Sequence, residues 1–513
     1  MKPTAKVPIS PPLSAGLIHW LALLLIFIAG VALRVHCLAC KPFWFDECFS
    51  AEVTRIDWKN FLHLLWWREA NMSLYYVMLR GWLHFGQSPF FIRTLSLVIS
   101  AAALPTVYWM AHLLYDRRVA LIATAFIAVN AFDIRYAQEA RSYSLLVLLA
   151  TLSSGFLIAF LKHPIQRNRT VYVAVSILAV YAHLYAVLLI AAQWLALRWG
   201  GIPEQALEDS NPDISRQLRR AWIAIGIAVS PLLIFVAKTG AGPIKWIPRP
   251  GIASLLNFAS DFTNGLPIVY FAAAVVALIM LKRNIFVRSR DWEVWRVHFL
   301  LIWLLFPVAL TVLLSFARPV FLPRYMIFCI PALLVLTAAG LGSIRPAWIG
   351  AAIVAVVLVL SARHVPFVYA HDFDDERDAS GAVVNFILDH AAPGDGILFH
   401  IAEARVPYEF FRTLRAGQNT ADPTFAGPFG PEILFPEHGP GLDYRDFTGK
   451  PTPDFVRSAT AAHPRIWIML MNNGPAGQPD PTTVMLSQVL PEASPKVQRW
   501  EFARVEVRLY SKQ

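Results

Sequence analysis

The feature that most constrains this chain is a run of apolar stretches separated by short basic loops. They lie near 17–34, 91–115, 119–132, 143–161, 170–184, 185–199, 221–237, 265–281, 297–316, 325–343 and 347–362, eleven in all. A helix crosses a bilayer with about 20 apolar residues, so the ends of the shorter stretches are soft. Composition agrees: of 513 residues, 57% are hydrophobic and only 15% charged, against roughly 45–50% and about 25% in soluble domains. The chain therefore reads as a polytopic α-helical membrane protein. Its formal net charge of +11 could signal a nucleic-acid partner. Lys and Arg instead cluster between apolar stretches, as topology signals do, and no nucleic acid is expected.

Those clusters orient the chain. Arg117-Arg118, Lys162 with Arg167 and Arg169, Arg198 with Arg216, Arg219 and Arg220, Lys282-Arg283 with Arg288 and Arg290, and Arg345 fall in alternate loops. All are cytoplasmic in an eleven-span arrangement with a cytoplasmic N-terminus, which sends the C-terminal part to the outer side. The first stretch lacks a signal-peptide cleavage pattern and reads as a retained anchor. From about 364 hydropathy falls. The pattern gives a helix over 377–390 and strands over 396–401, 465–471 and 503–510. The expected division is a membrane domain over 1–363 and a small extracytoplasmic α/β domain over 364–513. The first outer loop, 35–89, mixes tryptophans with charges, as helices lying in the membrane interface do.

In that loop, Phe45 precedes adjacent acids, Asp46 and Glu47. Neighbouring carboxylates repel, so one has a raised pKa unless a cation or a proton compensates; such a pair suits a general base. Charge at a membrane face is costly and functional by default. Cys37, Cys40 and Cys48 lie close together with no second pair and no His at zinc spacing. A disulfide among them is one reading and unpaired thiols the favoured one. Arg93, the stretch 133–143 with Glu139, Arg141 and Tyr143, then His183 with Tyr185, Lys245, Arg249, and Arg324 with Tyr325 are expected on the same side. A lone arginine at a span end is commonly an anchor, and His183 is commonly a packed histidine.

The motifs Phe45-Asp46-Glu47, Pro89-Phe90-Phe91-Ile92-Arg93, Tyr136-Ala137-Gln138-Glu139-Ala140-Arg141-Ser142-Tyr143, His183-Leu184-Tyr185-Ala186, Trp246-Ile247-Pro248 and Phe321-Leu322-Pro323-Arg324-Tyr325 occur in order over about residues 17–345. Together they resemble the bacterial branch of the polyprenyl-phosphate-sugar-dependent glycosyltransferases of the GT-C fold. Relatives are the protein O-mannosyltransferases (glycosyltransferase family 39) and the aminoarabinose and galacturonic acid transferases that modify lipid A. The Gln138–Tyr143 stretch is the most specific part.

The resemblance implies a hexosyl or pentosyl transfer with inversion, from a polyprenyl-phosphate sugar to an envelope lipid, glycan or protein, at the outer face of the bacterial inner membrane. It makes one of Asp46 and Glu47 the base, with Asp46 favoured. It makes Arg93, Arg141, Lys245, Arg249 and Arg324 candidates for the donor phosphate. Glu139, Tyr143, His183, Tyr185 and Tyr325 would then contact sugar or acceptor. Relatives with a divalent cation place Asp-x-Asp on the second outer loop; here Gln138-Glu139-Ala140 is a poor site for a hard ion, so no metal cofactor is expected. The rivals are a flippase of lipid-linked sugars, which should show repeats or broken helices, and a non-catalytic assembly subunit.

Overall fold

The computed structural model describes residues 15–204, 214–239, 247–280, 290–370, 379–419, 430–436, 442–443, 446, 449–471 and 480–512. Among these, seven helices are long and apolar enough to cross a membrane, or nine if each of two bent pairs is one span. The expected eleven places are all helical. The two that fall short are α9 (Gln166–Ala182), which starts on a polar turn, and α10 (Ala186–Gly200), which has 15 residues. They are separated only by His183-Leu184-Tyr185.

The helices begin and end where the local chemistry says they should. α5 (Pro89–Leu114) starts with Pro89, whose missing N–H is no loss in a first turn, and Ser88 Oγ caps it by accepting from Phe91 N at 3.2 Å. α6 (Arg117–Ala128) is capped by Asp116, and α7 (Ala131–Ala137) by Asn130. The break between them bends the pair by 60°. A second bend, of 74°, separates the helix Ile252–Phe262 from its successor beginning at Pro267; the first member of that pair was not foreseen.

α1 (Ala15–Val35) turns its leucines outward, with Leu25 66% exposed. In water such a surface would demand a partner; in a bilayer, lipid covers it. Two spans are enclosed instead: α8 (Tyr143–Lys162), 83% buried over its apolar window, and Pro323–Ser343, 89% buried. Gly340 lets the second approach its neighbour closely, since a Cβ there would lie 1.9 Å from the Ala273 carbonyl oxygen. At the end of α1, buried Arg34 donates to Asp133 Oδ2 at 2.5 Å, to Ser100 Oγ, and to the carbonyls of Gly30, Ile127 and Ala128. That arginine ties α1 to α5, α6 and α7.

The last long helix, Ala347–Ala370, runs past the boundary expected at 363. The C-terminal part then forms a five-stranded sheet in the order β2-β1-β3-β5-β4. Its strands are β1 (Gly396–His400), β2 (Glu432–Phe435), β3 (Arg465–Met471), β4 (Lys496–Phe502) and β5 (Val505–Ser511). β1 pairs in parallel with β2 and β3, and β5 runs antiparallel to β3 and β4. Alternate residues feed two cores: Ile397, Phe399, Trp467 and Met469 face the helix Ser380–His390, while Leu398, Ile466 and Ile468 face the helices Pro453–Thr460 and Pro481–Ala493. β1, β3 and β5 fall where the alternation predicts strands. β2 is too short to show a period, and β4 is an outer strand with mostly exposed side chains, so neither announced itself.

Candidate active site

The adjacent acids open a nine-residue helix, α2 (Phe45–Val53), where the unpaired N–H groups of the first turn favour negative charge. Successive helical residues diverge by about 100°, so the two carboxylates face different surroundings. Glu47 is fully buried and grips Arg93: Nε donates to Oε1 at 2.8 Å and Nη2 to Oε2 at 2.6 Å. Ala140 N also donates to Oε1 at 3.0 Å. The remaining Arg93 N–H groups go to the carbonyls of Leu38, Lys41 and Pro42. All five guanidinium N–H groups are thereby used, which corrects the expectation that Arg93 is available to a donor phosphate. Glu47 is thus the buried counter-ion of Arg93, with three donors on its two oxygens.

Asp46 points elsewhere. Its side chain keeps 21% of its exposure, and Arg141 Nη2 lies 3.6 Å from Oδ2. Arg141 belongs to the turn between α7 and α8, which is pinned from three sides. Gln138 Nε2 donates to the carbonyls of Arg34 and His36, Ala140 N reaches Glu47, and the Arg141 carbonyl accepts from Ser96 Oγ. Burial alone would weaken the charge on Arg141, but Asp46, Tyr76, Tyr143 and Glu69 around it hold it cationic. Glu139 is buried and pairs with Arg135 at 3.4 Å.

Behind Arg141 the enclosed spans begin. Tyr143 opens α8, with its ring 4.8 Å from Tyr136 and 6.1 Å from His183. His183 lies 4.9 Å from Tyr325 and 5.5 Å from Tyr185, centroid to centroid. The Tyr185 hydroxyl is taken by the Val320 carbonyl. Arg324 is buried in the 3₁₀ turn Pro323–Cys329, near enough to Tyr143 and His183 for its charge to act on both. Among the described residues, Arg141 Nε, Tyr143 Oη and His183 Nε2 are buried without a hydrogen-bond partner. Buried polar atoms are nearly always satisfied, and these three lie in one group around Arg141 and Arg324. Arg249 is exposed on a connecting segment, and Lys245 lies outside the described residues.

No family model and no curated protein sequence matches the chain. Solved structures do. ArnT from Cupriavidus metallidurans bound to undecaprenyl phosphate aligns with a TM-score of 0.59 at 13% identity, over 97% of this chain and 98% of ArnT. Its apo form aligns with the same TM-score at 14% identity, over 97% and 99%. The Archaeoglobus fulgidus oligosaccharyltransferase in complex with Zn and sulfate aligns at 0.51 and 9% identity, over 94% and 73%. This chain has the GT-C fold.

Three residues of the group were not singled out from the sequence. Tyr76, in α4 (Ser73–Trp82), meets Arg141 Nη1 at 3.4 Å and donates to Glu69 Oε2 at 3.4 Å. Arg68 approaches Glu69 to 3.8 Å. Burial pushes the Glu69 carboxyl up, with Asp46 adding to the effect and Arg68 and Arg141 opposing it. Their one sequence signal was charge inside an aromatic interfacial loop, which does not distinguish them from Lys59 or Asp57. The structure also corrects the cysteines: Cys37 and Cys40 form a disulfide, because the turn after α1 brings their Cα atoms to 4.8 Å, while Cys48 is free and buried. Among the described residues, no three His, Cys, Asp or Glu side chains converge as metal ligands would.

Proposed function

We propose that this chain is an integral membrane glycosyltransferase that moves a hexosyl or pentosyl group from a polyprenyl-phosphate donor to an envelope acceptor, with inversion. The observation that carries the reading is the Asp46–Arg141 pair beside three buried, unsatisfied polar atoms. A partly exposed carboxylate, held by a cation and facing polar atoms that await a partner, is what a base opposite a phosphate clamp requires. The GT-C fold supports the donor class, since one neighbour was crystallised with undecaprenyl phosphate.

In this mechanism Asp46 accepts the proton of the acceptor hydroxyl. The oxygen attacks the anomeric carbon from the face opposite the phosphate. The carbon–oxygen bond to the lipid phosphate breaks, and the phosphate leaves with the electron pair. A single displacement inverts the anomeric centre. Phosphate is already a good leaving group, so stabilising its charge supplies most of the effect; one well-placed donor is worth about 3–4 kcal/mol. Arg141 and Arg324 take that role, their planar forks matching phosphate oxygens. Tyr143 and His183 present hydrogen-bonding atoms to the sugar. Tyr185 and Tyr325 supply ring surface, and Arg249 and Lys245 are assigned to guiding the anionic lipid. No metal is required: the carboxylate at the site is already faced by a guanidinium.

The site lies on the outer side of a bacterial inner membrane, with the N-terminus cytoplasmic and the C-terminal sheet outside. The alternation of basic loops supports this, and so does the Cys37–Cys40 disulfide, since such bonds persist in oxidising compartments. The test uses purified protein, a panel of radiolabelled polyprenyl-phosphate sugars and envelope extract. Transfer of label with release of polyprenyl phosphate is expected from at least one donor. Failure to consume any donor would remove the enzyme reading.

A further inference from the structure

The helix that carries Asp46 is gripped from two sides, and one grip comes from the C-terminal part. The Arg93 guanidinium lies 5.2 Å from the Phe43 ring, Phe43 stacks on Phe410 at 4.9 Å and 18°, and the Arg55 guanidinium lies 5.2 Å from Phe410. This four-layer column ends on two acids of α2, with Glu47 holding Arg93 and Glu52 holding Arg55. Val406 and Phe410 are fully buried within the apolar core of the membrane part, and Phe45 packs against both that core and the core of the sheet. A few residues away, Arg68, neighbour of Glu69, pairs with Glu403.

The helix Arg405–Asn419 that brings Phe410 is itself rigidly mounted. Arg405 is 1% exposed and donates to Asp446 at 3.1 Å, Glu409 at 3.1 Å and the Pro436 carbonyl. α2 has nine residues, too few to hold its shape alone, so its position comes from what packs on it. The Asp46–Arg141 contact is 3.6 Å long, a separation that a slight tilt of α2 changes.

We propose that Phe410 and Glu403 are positioning residues for Asp46: the C-terminal part sets the place of α2 and thereby of the carboxylate. The inference about catalysis rests on the proposed function; the inference about α2 does not. Misplacement by about 1 Å can cost roughly 100-fold in rate. Phe410→Leu is therefore expected to lower kcat by about 10- to 100-fold, with the KM for donor little changed. Glu403→Gln, a milder change at a part-exposed site, should lower kcat by less, again with KM little changed.

The test pairs the kcat-against-KM split with hydrogen exchange of the 45–53 amides in full-length wild-type and variant protein. Faster exchange in that segment, with the enclosed spans unchanged and kcat reduced, supports the proposal. Unchanged exchange in both variants, or faster exchange with kcat unaltered, overturns it. A fall in activity matching only the loss of folded protein overturns it as well. A wild-type protein inert toward every donor would defeat the proposed function alone, and exchange would still decide whether Phe410 holds α2.

Discussion

Two neighbouring acids should behave in opposite ways when neutralised. Glu47 is the sole side-chain acid gripping Arg93 in the described structure, and both are at most 2% exposed. Glu47→Gln leaves a buried guanidinium without its counter-ion, a change that costs about 3–5 kcal/mol. At about 1.4 kcal/mol per tenfold, the unfolded fraction rises by roughly two to three and a half orders of magnitude. Asp46, part-exposed and 3.6 Å from its cation, contributes about 1 kcal/mol or less to stability. Thermal unfolding in detergent, followed by tryptophan fluorescence and size-exclusion chromatography, should show a large loss for Glu47→Gln and almost none for Asp46→Asn. The double variant Glu47→Gln/Arg93→Gln should be less damaged than the sum of its singles, because two amides can pair where one charge cannot be left alone. Wild-type stability in Glu47→Gln would refute the assignment of Glu47 as a counter-ion.

Other perturbations test the remaining parts. Arg141→Ala should lower kcat by about 100-fold or more while the folded yield falls far less than in Glu47→Gln; equal kcat would exclude Arg141 from the phosphate clamp. Chelation by EDTA should leave transfer unchanged, and restoration of a lost activity by Mg²⁺ or Mn²⁺ would contradict metal independence. In the C-terminal sheet, burial pushes the Asp395 carboxyl up, but Arg465, the Ala392 N–H and Trp467 Nε1 outweigh it and hold it below its ordinary value of 3.8. Its stabilisation is therefore complete above that value and lost as pH falls through the lower folded one. Acid titration of the Trp467 environment should show this loss at low pH, and Asp395→Asn should flatten it.

The spans were legible because hydropathy acts over whole segments and does not depend on what packs against what. Arg141 was legible as a member of a dense polar motif beside an apolar run. The division of labour between Asp46 and Glu47 was not, since it depends on which way each side chain leaves α2 and on Arg93, 46 positions away in sequence. Arg93 looked like a phosphate ligand for the reason that makes it a clamp: it is a guanidinium at a span start, and sequence does not say which anion it meets. The pairing of Glu139 was not legible either, because its partner Arg135 is one turn back on the same segment. Tyr76, Glu69 and Phe410 could not be found at all, since aromatic and charged residues are ordinary in an interfacial loop or an amphipathic helix. The disulfide turned on the geometry of one tight turn after α1.

The central claim, that Asp46 is the base of a polyprenyl-phosphate-sugar transfer, is tested most directly by one comparison. Wild-type and Asp46→Asn proteins, both verified as folded, are given the same labelled donor and envelope acceptor. Transfer by the wild type and its loss by a factor of about 100 or more in Asp46→Asn is the predicted result. Full transfer by Asp46→Asn would contradict the account.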